Sequence, residues 1–191
     1  MHDKRFWNYN ITLHSQDHQH DDWAMYYGQY KFTVEMIFET AYRGSCTGIY
    51  LPILFLIRHT LELGYKTNLK FLNPLLKPEE QIEFKNDHNL SSLHEKFRQT
   101  VKKINISLNL KEEFIKEFEK HESKLNKFKQ ELHEIDSGST TFRYPSTREG
   151  DPSIPAPVNI NFINIKESFE ESITVLTYTH DVIHNYLNRE Q

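Results

Sequence analysis

The chain has 191 residues, 37% hydrophobic and 26% charged, with a net charge of -4 at pH 7. That length suits one domain with a sizeable core and is short for two. The acidic balance excludes a nucleic-acid binder held by bulk positive charge, so any such binding needs a local basic patch or a partner subunit. The single cysteine, Cys46, excludes an internal disulfide framework and fits a reducing cytosol.

Residues 1–21 read as a polar arm without an apolar signal core. At its end "HSQDHQHDD", which runs one residue into the next segment, offers His14, Asp17, His18, His20, Asp21 and Asp22. Imidazole and carboxylate suit zinc or nickel, but the loose spacing reads as a solvated arm, and no metal is assigned. Residues 22–191 form the single predicted domain. Its first helix starts near Asp22 and carries a stripe of Trp23, Tyr26, Tyr27, Tyr30, Val34, Ile37, Phe38 and Ala41, with Gly44 as its stop.

The second helix is expected over 47–71, with Pro52 in the first turn or at a kink. Its apolar run, 49–57, is about half of what a bilayer span needs, so no membrane segment is expected and the location read is cytoplasmic. A short helical turn follows over 78–84, where proline and two glutamates suit a helix start. The third helix, from "NLSSLHEKF", aligns Leu90, Leu93, Phe97, Val101 and Ile104. The fourth, 110–135, has one narrow apolar face, including Phe114, Phe118, Leu125, Phe128 and Leu132. Its lysines, Lys129 among them, read as a solvated surface paired with glutamate.

Residues 136–162 hold four prolines and several turn signals, and "TTFRY" and "VNINF" alternate as a hairpin would. The last helix is expected over 164–187. There "HDVIH" sets His180 and His184 four apart, a metal-compatible spacing that lacks a third ligand. The fold class is all-α: an antiparallel bundle of about five helices, with a long irregular excursion, hairpin-like in pattern, before the last.

Arg58 is the anomaly. At about 100° per residue it falls at the centre of the stripe of Leu51, Leu54, Leu61, Tyr65 and Leu69, with His59 at the edge and Glu62 one turn on. One reading is an Arg58–Glu62 pair that fixes bundle packing. The other is a cleft in which Arg58, His59 and Glu62 meet phosphate, nucleobase or carboxylate. Arg143, flanked by Phe142 and Tyr144, would approach Glu62 if its loop folded back onto the second helix; otherwise it is a solvated arginine in an aromatic-anchored loop. His88 and His94 read as packing or capping residues, with a cleft role open.

The segments "FLIRHTLELGYKTNL", "DHNLSSLHEKF" and "EIDSGSTTFRYP", in that order before a final helix, resemble the HEPN-like superfamily. The likeness is to its small bacterial proteins with RHxxEL, HxLxxL and FRYP motifs, over residues 25–187. The resemblance implies an all-α bundle and a homodimer or a partner protein of the same operon. It also implies RNA or a nucleotide as ligand, and work in a bacterial defence or toxin–antitoxin type system, with no cofactor. Many members are metal-independent ribonucleases with an arginine followed, after four to six residues, by a histidine; no arginine here has a histidine at that spacing. A non-standard ribonuclease would use Arg58 and Arg143 on phosphate, His59 as acid or base, and Glu62 to orient it. The alternative is a catalytically inactive structural or adaptor subunit.

Overall fold

The computed structural model describes residues 23–41 and 48–189. The N-terminal His/Asp cluster and Cys46 lie outside them. Five α-helices appear among the described residues: α1 Trp23–Ala41, α2 Tyr50–Leu72, α3 Leu90–Ser107, α4 Glu112–Ile135 and α5 Phe162–Arg189. The 78–84 turn is reduced to a single 3-10 turn at Pro78–Glu80, after another at Asn73–Leu75.

α2 is the centre of the bundle. It packs against α1, α3 and α5, and α4 closes the far side against α5 and α3. A helix surrounded by others must be apolar on nearly every face, and from Ile53 to Leu69 few of its residues reach solvent. Pro52 falls in its first turn, where a missing N–H costs no helical bond. Ile53, Ile57, Leu61, Tyr65 and Leu69 are each fully buried. Complete burial of an aliphatic side chain contributes about 1.5–3 kcal/mol. On α1 the stripe runs through Val34, Phe38 and Ala41, but Tyr26 points out.

Local chemistry sets the helix ends. Asn89 caps α3 by accepting the Ser92 N–H at 3.0 Å. Asn161 caps α5 through the N–H groups of Ile163 and Asn164, at 2.9 and 3.2 Å. α3 ends in a turn through Asn109, φ 47°, a left-handed position that asparagine tolerates. Where α1, α2 and α5 cross, Gly64 admits the neighbours: a Cβ there would lie 2.6 Å from Leu176 Cδ1 and 2.9 Å from Tyr27 Cε2. One turn on, Asn68 Nδ2 donates to Leu176 O at 3.0 Å and ties α2 to α5.

The 136–161 excursion is ordered by turns, not strands. Thr140 O accepts from the N–H groups of Arg143 and Tyr144, and Phe142 is buried as its anchor. The expected β-hairpin is not formed: pairing shrinks to one isolated antiparallel bridge, Ser146 with Pro152. Prolines at 145, 152, 155 and 157 have no N–H to give to a ladder. No helix among the described residues is long and apolar enough to cross a membrane.

Candidate functional site

Arg58 points inward and is 1% exposed. Its Nη2 donates to His88 O at 3.0 Å and its Nε to Asp136 O at 3.4 Å. Nη1 lies 3.5 Å from Glu62 Oε2, and Nε lies 3.7 Å from Asp136 Oδ2. One side chain from α2 thus holds the segment before α3 and the end of α4. Burial lowers the pKa of the guanidinium, while Asp136 and Glu62 act to raise it.

Glu62 is the second hub, 3% exposed. Its Oε1 receives Lys66 Nζ at 3.1 Å and lies 2.8 Å from His88 Nδ1. Lys66 also donates to Lys85 O at 3.0 Å, and its ammonium sits 5.1 Å from the Trp23 ring centre. Asp136 is wholly buried; its Oδ1 accepts the N–H groups of Thr140 and Thr141 at 2.8 and 3.1 Å. Its Oδ2 makes no hydrogen bond and faces Arg58 at ion-pair distance only. Two cations and two carboxylates balance, which is what keeps such a group stable out of water. The exception to enclosure is His88, whose side chain is 68% exposed.

The four residues expected to form a site therefore divide. Arg58 and Glu62 are enclosed in the ion network. His59 lies across the helix, edge-on to Tyr30 at 4.6 Å and stacked on Phe55 at 5.9 Å. Burial lowers its pKa, against an opposing pull from Glu62. Glu62 orients His88, not His59. Arg143 is exposed and stays off Glu62: its guanidinium lies over the rings of Phe55 and Tyr144, at 5.5 and 5.4 Å, and Nε donates to Ser139 O at 2.7 Å. Phe55 thus carries His59 on one contact and Arg143 on the other. A cleft of about 260 Å³ opens beside Arg143 and Tyr144, walled by Leu51 and Ile154.

Sequence reasoning missed Asp136 and undervalued His88. Asp136 looked like a loop starter after α4, and no periodicity marks a residue whose partner is seventy-eight positions away. His94, by contrast, is a buried member of a second polar group. It contacts Tyr65 Oη through Nδ1 at 3.0 Å and Glu122 through Nε2 at 2.8 Å. The His180–His184 pair packs on Phe71, and no group of three metal-ligating side chains exists among the described residues. Comparison with family models, curated proteins and solved structures gives no match.

Proposed function

We propose that the chain is a HEPN-like RNA- or nucleotide-binding protein of a bacterial defence or toxin–antitoxin type system, with a non-standard, metal-independent ribonuclease activity centred on His88. The observation that carries this is the Glu62–His88 contact. A carboxylate enclosed by protein fixes one nitrogen of an imidazole whose ring is open to solvent. That is the arrangement of a general acid or base held in one orientation. Arg143, exposed over the Phe55 and Tyr144 rings, supplies a cation for phosphate. Arg58 braces the group from beneath and touches no ligand.

The test is cleavage and binding of single-stranded RNA by His88→Gln and Arg143→Ala. Under this reading His88→Gln abolishes cleavage and keeps binding, and Arg143→Ala weakens binding. Cleavage untouched by His88→Gln, or an absence of both activities in the wild type, overturns it.

One observation favours the second reading, a catalytically inactive assembly subunit. Phe32 and Met36 on α1 are 61% and 51% exposed, an apolar row on a helix whose other face is in the core. A homodimer, or a partner from the same operon, would cover that row.

A further inference from the structure

The excursion between α4 and α5 supplies two rims, 141–145 and 152–154, that line the cleft of about 260 Å³ beside Arg143. The rims are tied to each other. Ser153 N–H donates to Pro145 O at 3.0 Å, Thr147 N–H donates to Asp151 O at 2.8 Å, and Ser146 bridges Pro152. The first rim is also fixed to the bundle, by the buried Phe142 and by Asp136, which accepts the Thr141 N–H. Leu51, in the first turn of α2, completes the wall. A cleft held by its own backbone has little ordering left to do when a ligand enters.

Its lining is apolar with a single charge. Leu51, Ile154 and two prolines form the walls, and prolines have no N–H that would call for water. Thr141 and Ser153, both half-buried, add hydroxyls. Arg143 is the only charged side chain in the lining. Glu149 and Asp151, in the turn that joins the rims, are outside it, so no carboxylate lines the cleft to oppose an anion. Ser139 holds a left-handed backbone, φ 61°, uncommon for serine, and its carbonyl anchors Arg143 Nε at 2.7 Å. The volume falls just below the range of about 300–1,000 Å³ that takes drug-sized molecules, so it suits one ring system and not a longer body.

We propose, resting on Arg143 as the phosphate-binding group of the ribonuclease reading, that this cleft takes the base of a single nucleotide while Arg143 holds its phosphate. Arg143 already covers the Phe55 and Tyr144 rings. The base is therefore gripped by the aliphatic and proline walls, and the two hydroxyls meet its edge. Unstacked bases are held in this way, by apolar side chains on the face and hydrogen bonds at the edge. The nucleotide is either free or the end of an RNA strand.

The experiment is calorimetric titration of the full chain with the four nucleoside 5′-monophosphates, the matching nucleosides and inorganic phosphate. At least one monophosphate binds saturably, and its nucleoside and phosphate alone bind at least about tenfold more weakly. Ile154→Trp, at an exposed loop position, fills the cleft and weakens the monophosphate at least about tenfold. Ile154→Asp, which brings a carboxylate into the lining, weakens it too. Val158→Trp, exposed in the same excursion but outside the lining, leaves it unchanged. Tighter binding of a 5′-phosphorylated trinucleotide than of the monophosphate identifies the end of a strand, and equal binding identifies the free nucleotide. The base slot is overturned if the wild type binds no monophosphate saturably, if phosphate alone binds as tightly, or if Ile154→Trp binds as the wild type does. Should those failures occur while RNA is still cleaved through His88, the slot falls and the ribonuclease reading stands. Should the monophosphate bind and Ile154→Trp lose it while RNA is neither bound nor cleaved, the ribonuclease reading falls and the slot stands.

Discussion

Glu62 and His88 stand twenty-six residues apart and meet at 2.8 Å, the carboxylate enclosed and the imidazole exposed. The contact joins the middle of the most buried helix to the protein surface. The His88 ring is tied through Glu62 to Arg58 and Lys66, so the network's integrity and the ring's orientation are one property.

Glu62→Gln separates charge from shape. The amide keeps the volume but leaves Arg58 with Asp136 and Lys66 with no carboxylate in contact among the described residues, a buried excess of positive charge. Breaking a buried pair in this way costs about 3–5 kcal/mol. Urea denaturation of Glu62→Gln is therefore expected to show a large drop in midpoint. The exposed His88→Gln is expected to lose less than about 1.5 kcal/mol.

Stability is also expected to depend on pH through His59. Its folded pKa lies below the ordinary 6.5, because burial between Tyr30 and Phe55 disfavours the charged ring. Above 6.5 both states carry a neutral imidazole and the group contributes no penalty. As pH falls below 6.5 the unfolded chain takes up a proton that the folded chain refuses, and stability declines until the folded pKa is reached. Glu62, Arg58, Lys66 and His88 act on the same ring and are retained in His59→Phe. That variant should flatten this segment of the curve of unfolding free energy against pH.

Gly64→Ala tests the three-helix crossing. The new methyl would meet Leu176 and Tyr27 inside normal contact distance. Overpacking of this kind costs about 1–3 kcal/mol, although alanine is the better helix former by about 1 kcal/mol. A net fall in melting temperature is expected, and a rise would show that α1 or α5 yields easily.

Phe32→Asp addresses assembly. If α1 forms an interface, the wild type has a higher mass by light scattering than Phe32→Asp at the same concentration, with the helical content of both unchanged. Equal masses, both monomeric, remove the self-association arm of the assembly reading.

The five helices were legible because their apolar spacing is regular, and the observed ends fall within a few residues of those expected. The inward direction of Arg58 was legible for the same reason: a helical angle is local arithmetic. Its partners were not. His88 O and Asp136 reach it from other elements, and backbone carbonyls leave no trace in residue type. Lys129 was misread as solvated since its neighbours Lys124 and Lys127 are, whereas two residues past Lys127, about 200° around the helix, it lies against α3. The alternation in "TTFRY" suggested strands, yet the prolines after it supply too few donors for pairing.

Asp136 has a consequence for exchange with solvent. Thr140 and Thr141 sit in an outlying segment, but their amides end on a carboxylate that is wholly buried beside Arg58. Their deuterium uptake should therefore follow the opening of α2 and α4 rather than the motion of the loop around them. Gly138 and Gly150, nearby in sequence but without such an anchor, should exchange orders of magnitude sooner. With Phe142 buried in the core next to Thr141, the border between the rigid body and its outlying chain runs after Phe142, several residues beyond the last turn of α4.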